Sequence, residues 1–269
     1  MPGSDTTAPT GPSAHTAAHR DAAPQFVLPL VVRIERSAPP GPPARTDALQ
    51  TAARAVLVLL SDARVVREEG EWHQAVRDWQ DGRIRKVVRR ARGAEWRRAC
   101  ALPGITVTGD GSTGREGRGG EGSGGGGRHP AEVRVFPPVP LDGWPKELAR
   151  LQVSGTDLDD PAPPAAPASD VPVLWLNPEL EMSAGKAMAQ AGHGAQLAWW
   201  ELDDGARAAW RAAGFPLAVR TAPPGDWERL TSAGLPVVRD AGYTEIAPGS
   251  ATVVADHPAL RRSRPAARG

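Results

Sequence analysis

The chain has 269 residues, 40% of them hydrophobic, enough to bury the core of one large domain or of two small ones. Its 32 Lys and Arg stand against 31 Asp and Glu, a net charge of +1 that excludes a protein basic throughout and confines any nucleic-acid affinity to a local patch. The single cysteine, Cys100, excludes an internal disulfide and a multi-cysteine zinc site, and fits a reducing compartment, the cytoplasm by default.

Residues 1–25 are rich in Pro, Ala and Thr and hold no apolar h-region, so they read as a disordered tail and not as a secretory signal. A first unit over 26–153 then predicts a strand at Phe26 to Glu35, a helix at Ala44 to Leu60, and a helix at Glu71 to Asp81 that Gly82 ends. A strand at Ile84 to Arg90, a helix at Ala94 to Ala101, and strands at Ile105 to Thr108 and Glu132 to Phe136 complete it. An insertion at 109–127, in which 11 of 19 residues are glycine, cannot hold a defined geometry. LDGWPKELARLQ at 141–152 predicts a short amphipathic helix. The Pro- and Ala-rich stretch at 154–170 predicts a semi-extended linker.

The second unit, 171–258, repeats the order. Strands are expected at Val171 to Leu176, Pro216 to Thr221, Pro236 to Asp240 and Thr252 to Ala255. Helices are expected at Ala184 to Trp200, at Asp203 to Ala213 and at Gly225 to Ala233, the last two closed by Gly214 and Gly234. Residues 259–269 read as a tail. The longest apolar run, Ala55 to Leu60, is far short of the roughly 20 residues of a membrane span. Both units follow βααβαββ, and VVRRARGAEWRRACALPGITV aligns with AVRTAPPGDWERLTSAGLPVV so that Trp96 falls opposite Trp227. That similarity predicts an internal duplication of an α/β unit.

Only the second unit carries polar groups in a reactive pattern. In MSAGKAMAQAGHGAQ, Lys186, Gln190 and His193 fall at i, i+4 and i+7 and project from one helix face, with small residues between them that admit another backbone or a ligand. Lysine occurs only at 86, 146 and 186, so Arg serves wherever a positive charge suffices, and Lys186 suits a narrow site that takes a compact ammonium. A buried Ala-rich helix with a few satisfied polar groups is the plainer alternative. Likewise Asp240 before Ala241-Gly242 suits an Asx turn, Thr252 suits a strand, and His193 suits a buried, satisfied histidine.

Taken together, the strand, the MSxGK helix start, AQxxH and the later DAGxTxIxPGSxT resemble the type-II peptidyl-tRNA hydrolases. In that family the first helix opens with a KGKxAxQxxHA-like motif, and a DAGxTQIxPGTxT-like loop joins the last two strands. The resemblance covers roughly 171–258; the first unit shows the element order without the motifs. It implies an active site lined by Lys186, Asp240, Thr244 and Thr252, with Gln190 and His193 at the family's helix positions on the substrate side. Ala184 stands where the family has its first motif lysine, and Glu245 where it has a loop glutamine. The family also implies homodimers. The expected fold is therefore two similar three-layer α/β units with four-stranded mixed sheets, fused as a pseudo-dimer in which 26–153 replaces a second subunit.

The implied reaction is hydrolysis of the ester between a peptide, or an N-blocked aminoacyl group, and tRNA, which recycles tRNA from stalled translation. Such chemistry needs a positioned water, a base and a donor to the developing oxyanion. Asp240 suits the base or the water-orienting role. Lys186, near a helix N-terminus, suits an oxyanion or a ribose or phosphate oxygen. The hydroxyls of Thr244 and Thr252 suit orientation of water or ribose. No cofactor motif or metal-ligand spacing appears, so the expected hydrolysis is metal-free. The basic run Arg83 to Arg98 offers Arg85 and Arg89 to tRNA phosphates, or else forms a solvated face balanced by Glu68, Glu69, Glu71 and Asp78. Two other readings remain: a non-catalytic tRNA- or protein-binding module on the same fold, and a hydrolase of a different acyl ester.

Overall fold

The computed structural model describes residues 25–35, 41–111, 128–242 and 246–262. The predicted tail up to residue 24, most of the glycine-rich insertion, Thr244 and Glu245 lie outside the described residues. The N-terminal sheet contains β1 (Phe26–Arg33), β2 (Arg85–Ala91), β3 (Ile105–Thr108) and β4 (Glu132–Val135) in the order β2-β1-β4-β3, and a two-residue β5 (Val139–Pro140) pairs with the start of β1. The C-terminal sheet contains β6 (Val173–Leu176), β7 (Ala218–Thr221), β8 (Val237–Arg239) and β9 (Ala251–Asp256) in the order β7-β6-β9-β8. In each, the first strand runs parallel to the second and antiparallel to the last. The two mixed α/β units are thus alike, as predicted, with β5 as an addition to the first.

Parallel neighbours need a long crossover. In the first unit it holds α1 (Arg45–Leu60), α2 (Ala63–Val66) and α3 (His73–Asp81); in the second, α6 (Ala184–Glu201) and α7 (Asp204–Ala212). The remaining helices are α4 (Gly93–Cys100), α5 (Lys146–Ala149), α8 (Trp227–Ser232) and α9 (Pro258–Arg262). β1 is apolar along both faces because both are covered: Leu28, Leu30 and Val32 join the main core, whereas Val31 packs with Trp96 of α4 and Leu148 of α5.

One chain spacing relates equivalent features of the two units. Trp79 and Trp210 lie in the last turns of corresponding helices, and their indole N–H groups donate to the carbonyls of Arg85 (2.8 Å) and Pro216 (2.9 Å). Ile84 and Phe215, both at positive φ (43° and 58°), lie at matching places before β2 and β7, and their N–H groups return to the Trp79 and Trp210 carbonyls. Bulky side chains seldom take this conformation; here it closes the helix-to-strand turn, and in the second unit it also buries Phe215 against Trp210.

α1 lies along α6, and the residues beneath both helices form one hydrophobic core spanning the two sheets. The small residues of α6 permit this approach: a Cβ on Gly192 would stand 3.0 Å from Val56 Cγ2 of α1. Residues 154–170 run without helix or strand and tie both units down. Thr156 Oγ1 accepts from Gly185 N (2.9 Å), Asp160 accepts from Thr46 N (2.8 Å), and the Ala165 carbonyl accepts from Arg220 (2.7 Å).

Two segments depart from expectation. The helix anticipated over 141–152 is a single turn, because Pro145 stands at its N-cap and the chain before it turns at Gly143, whose N–H returns to Pro140. The tail expected from residue 259 is helical to Arg262, anchored by buried Leu260 and by Arg261 on the Asp256 carboxylate. Among the described residues, no helix is long and apolar enough to cross a membrane.

Candidate active site

The N-terminus of α6 aims Lys186 at the end of β8. Ser183 caps the helix by accepting from Lys186 N (3.3 Å), and the next free N–H, of Gly185, is taken by Thr156. Gly185 is required there, since a Cβ would lie 2.9 Å from Thr156 Oγ1. Opposite, Asp240 is held by its backbone, its N–H on the Ser250 carbonyl (2.9 Å) and its carbonyl accepting from Gly249 (2.7 Å). Its Oδ1 accepts from Gly242 N at 2.8 Å, with Gly242 at φ 78°. The Asx turn and the candidate site residue are therefore the same residue.

Asp240 Oδ2 receives two donors, Lys186 Nζ at 2.5 Å and Gln190 Nε2 at 2.7 Å. The Gln190 Oε1 in turn accepts from the Thr252 hydroxyl at 2.7 Å. This chain sets the amide orientation, because a carboxylate needs a donor and a hydroxyl proton needs an acceptor. Both charged side chains are largely buried, 13% exposed for Lys186 and 5% for Asp240. Donors from the described residues thus fill three of the roughly four lone-pair sites of the carboxylate, which leaves one for a water. Thr252 does not reach open space as its expected role required. It is fully buried because β9 is an inner strand of the sheet, covered by α6, and it acts on the site through Gln190.

His193, one turn further along α6, meets a residue from the other unit. Lys86 of β2 extends its Nζ to His193 Nδ1 (3.2 Å) and to Gln196 Oε1 (2.5 Å). Burial lowers the Lys86 pKa well below that of a free lysine. Burial first, then the charges of Lys86 and Lys186, push His193 well below its ordinary value, so its imidazole is neutral at physiological pH. Sequence reasoning left Lys86 inside a basic run and passed over Gln196. The scarcity of lysine was the one signal that marked Lys86 out.

These groups open into a groove of about 1300 Å³ between the two units. Lys186, Gln190, His193, Leu197 and Trp200 form one stripe of α6 along it, roughly 20 Å from first to last at the helical rise. The facing wall comes from residues 83–88 and 152–156. Among the described lining residues Arg83, Arg85, Lys86, Lys186 and Arg239 are basic, and Asp240 alone is acidic. The two predicted phosphate contacts separate. Arg85 lines the groove, whereas Arg89 donates to the carbonyls of Ala149 (3.2 Å) and Leu151 (2.5 Å), stacks 4.4 Å from the Trp144 ring, and does not line it.

Residues 171–263 match the family model described as Peptidyl-tRNA hydrolase PTH2. The PTH2 match spans all four strands of the C-terminal sheet and the whole of α6, so it contains the entire chain from Lys186 through Asp240 and Gln190 to Thr252. The first unit, with Lys86 and the facing wall of the groove, lies outside the matched residues. A comparison with curated proteins found no match.

Proposed function

We propose that the protein hydrolyses peptidyl-tRNA at the Lys186–Asp240 pair, in the cytoplasm, which the lone Cys100 suits, and that residues 26–153 act as a built-in second subunit. The observation that carries the reading is the hydrogen-bonded chain Lys186, Asp240, Gln190, Thr252, opening into a groove in which Asp240 is the one carboxylate among the described lining residues, on the residues that match the PTH2 family. A cationic groove of this length suits a single-stranded acceptor end, whose phosphates meet the basic wall and whose bases find an aromatic face at Trp200.

In this reading a water held on the free lone pair of Asp240 attacks the acyl carbonyl. Lys186 stabilises, by charge and hydrogen bonding, the oxygen on which negative charge develops. As the bond from the carbonyl carbon to the ribose oxygen breaks, the proton taken from water passes to that oxygen, and the peptide acid and the free tRNA leave. Gln190 and Thr252 keep the carboxylate from rotating, a positioning role.

Release of an N-blocked aminoacyl group from tRNA tests this directly, with Lys186→Ala and Asp240→Asn run beside the unaltered protein. The expected result is turnover that both substitutions reduce by about a thousandfold. Absence of turnover with tRNA still bound assigns the groove to a binding module instead, and turnover indifferent to both substitutions removes the site assignment.

A further inference from the structure

Lys86 is a costly residue where it stands. Its ammonium is buried at 8% exposure with no carboxylate among its described partners, at a position where a methionine would fill the space without loss of solvation. The surroundings are nevertheless shaped for an ammonium. Three acceptors surround Nζ, namely Gln196 Oε1 at 2.5 Å, His193 Nδ1 at 3.2 Å and the Ile84 carbonyl at 3.5 Å, one for each of its protons, and the Trp79 ring lies 4.8 Å away. Gln196 itself is fully buried. α6 also makes room for the lysine stem, since a Cβ on Gly192 would stand 3.3 Å from Lys86 Cδ. The residue that crosses from β2 to α6 therefore arrives at the one histidine among the described lining residues of the groove.

While Lys86 is charged, its ammonium donates to these three acceptors and cannot itself accept, so His193 Nδ1 carries its lone pair and the neutral ring holds its proton on Nε2. We propose that Lys86 is a positioning residue supplied by the N-terminal unit, which fixes His193 as the Nε2–H tautomer and presents that N–H to the groove as a donor for an oxygen of the bound acyl-ester end of the substrate. The substrate clause rests on the hydrolase reading; the link between Lys86 and the tautomer does not. It also gives the first unit, which shows no equivalent network among its described residues, a direct part in the site of the second.

The test uses the full chain labelled with 15N-histidine. The ring signals of His193 are assigned by their loss in His193→Gln, and long-range 1H–15N spectra read its tautomer. The expected result is unprotonated Nδ1 and protonated Nε2 in the unaltered protein, and a shift towards protonated Nδ1 in Lys86→Met. In parallel, kcat for release of an N-blocked aminoacyl group falls about tenfold in Lys86→Met with KM nearly unchanged, and Lys86→Gln, which keeps a donor, recovers part of it. A protonated Nδ1 in the unaltered protein, or a tautomer indifferent to Lys86→Met in a folded variant, overturns the proposal. A shifted tautomer with unchanged kcat overturns the substrate contact alone. If the unaltered protein turns nothing over, the spectra still decide the Lys86–His193 link, so that failure is separate from a failure of the hydrolase reading.

Discussion

Counted from their N-caps, Asp47 of α1 falls where Lys186 falls on α6, and Thr51 falls where Gln190 does. Strand register places Gly109 opposite the role of Asp240, and Glu132 opposite that of Thr252. The same backbone thus carries Lys, Gln, Asp and Thr in one unit and Asp, Thr, Gly and Glu in the other. In the N-terminal unit the buried Asp47 carboxylate satisfies Ala131 N at 2.7 Å, and a Cβ on Gly109 would run into it. Burial raises the Asp47 pKa, with no ammonium at hand as Asp240 has. The lesson is that one fold holds its shape with a buried anion either on the helix or at the strand end, and that at the strand end the anion meets a lysine. What the first unit keeps is its edge strand, which brings Lys86 and the basic segment 83–88 to its neighbour's groove.

The sharpest way to break this comparison is to substitute equivalent residues. Lys186→Ala is expected to reduce turnover by about a thousandfold, roughly 4 kcal/mol, whereas Asp47→Ala leaves kcat unchanged, as steady-state release assays on N-blocked aminoacyl-tRNA would show. Equal losses would mean that both units are reactive.

The corresponding tryptophans Trp79 and Trp210 differ next. Trp79 faces Lys86, while Trp210 packs edge-on against His257 with ring centroids 4.8 Å apart. Burial first, then the charge of Arg262, lowers His257 to about 4 from 6.5. A depressed folded pKa means that the unfolded chain binds the extra proton between these values, so the contribution is whole above pH 6.5 and is lost as pH falls towards 4. It amounts to about 3 kcal/mol at most, and thermal melts from pH 7 to pH 4 should flatten accordingly in His257→Gln.

Gly109→Ala should cost about 1–3 kcal/mol of stability by crowding the Asp47 carboxylate, with activity retained. Denaturant melts that show the loss relieved in the Asp47→Ala background would establish the clash as its cause. The smallest effect belongs to the far end of the groove, where Trp200→Ala should raise KM for tRNA substrates about tenfold if one base stacks there, with kcat little changed. An unchanged KM would place the acceptor end elsewhere.

Much of this was legible in the chain itself. The βααβαββ order and the alignment of Lys186, Gln190 and His193 on one face follow from periods of two and 3.6 and from turn chemistry, which are local. So is the Asx turn at Asp240. What only the tertiary structure decided is which partners those side chains meet. Thr252 is hidden behind Gln190 because β9 became an inner strand. Arg89 is drawn to the carbonyls of Ala149 and Leu151, away from the groove, while Arg85 on the same strand lines it. Lys86 reaches His193 across 107 positions of sequence because α6 packs on β2. Residue spacing sets the direction in which a side chain leaves its own element; the group that awaits it depends on how distant elements bury their apolar faces, and that is settled only when the two units close on one core.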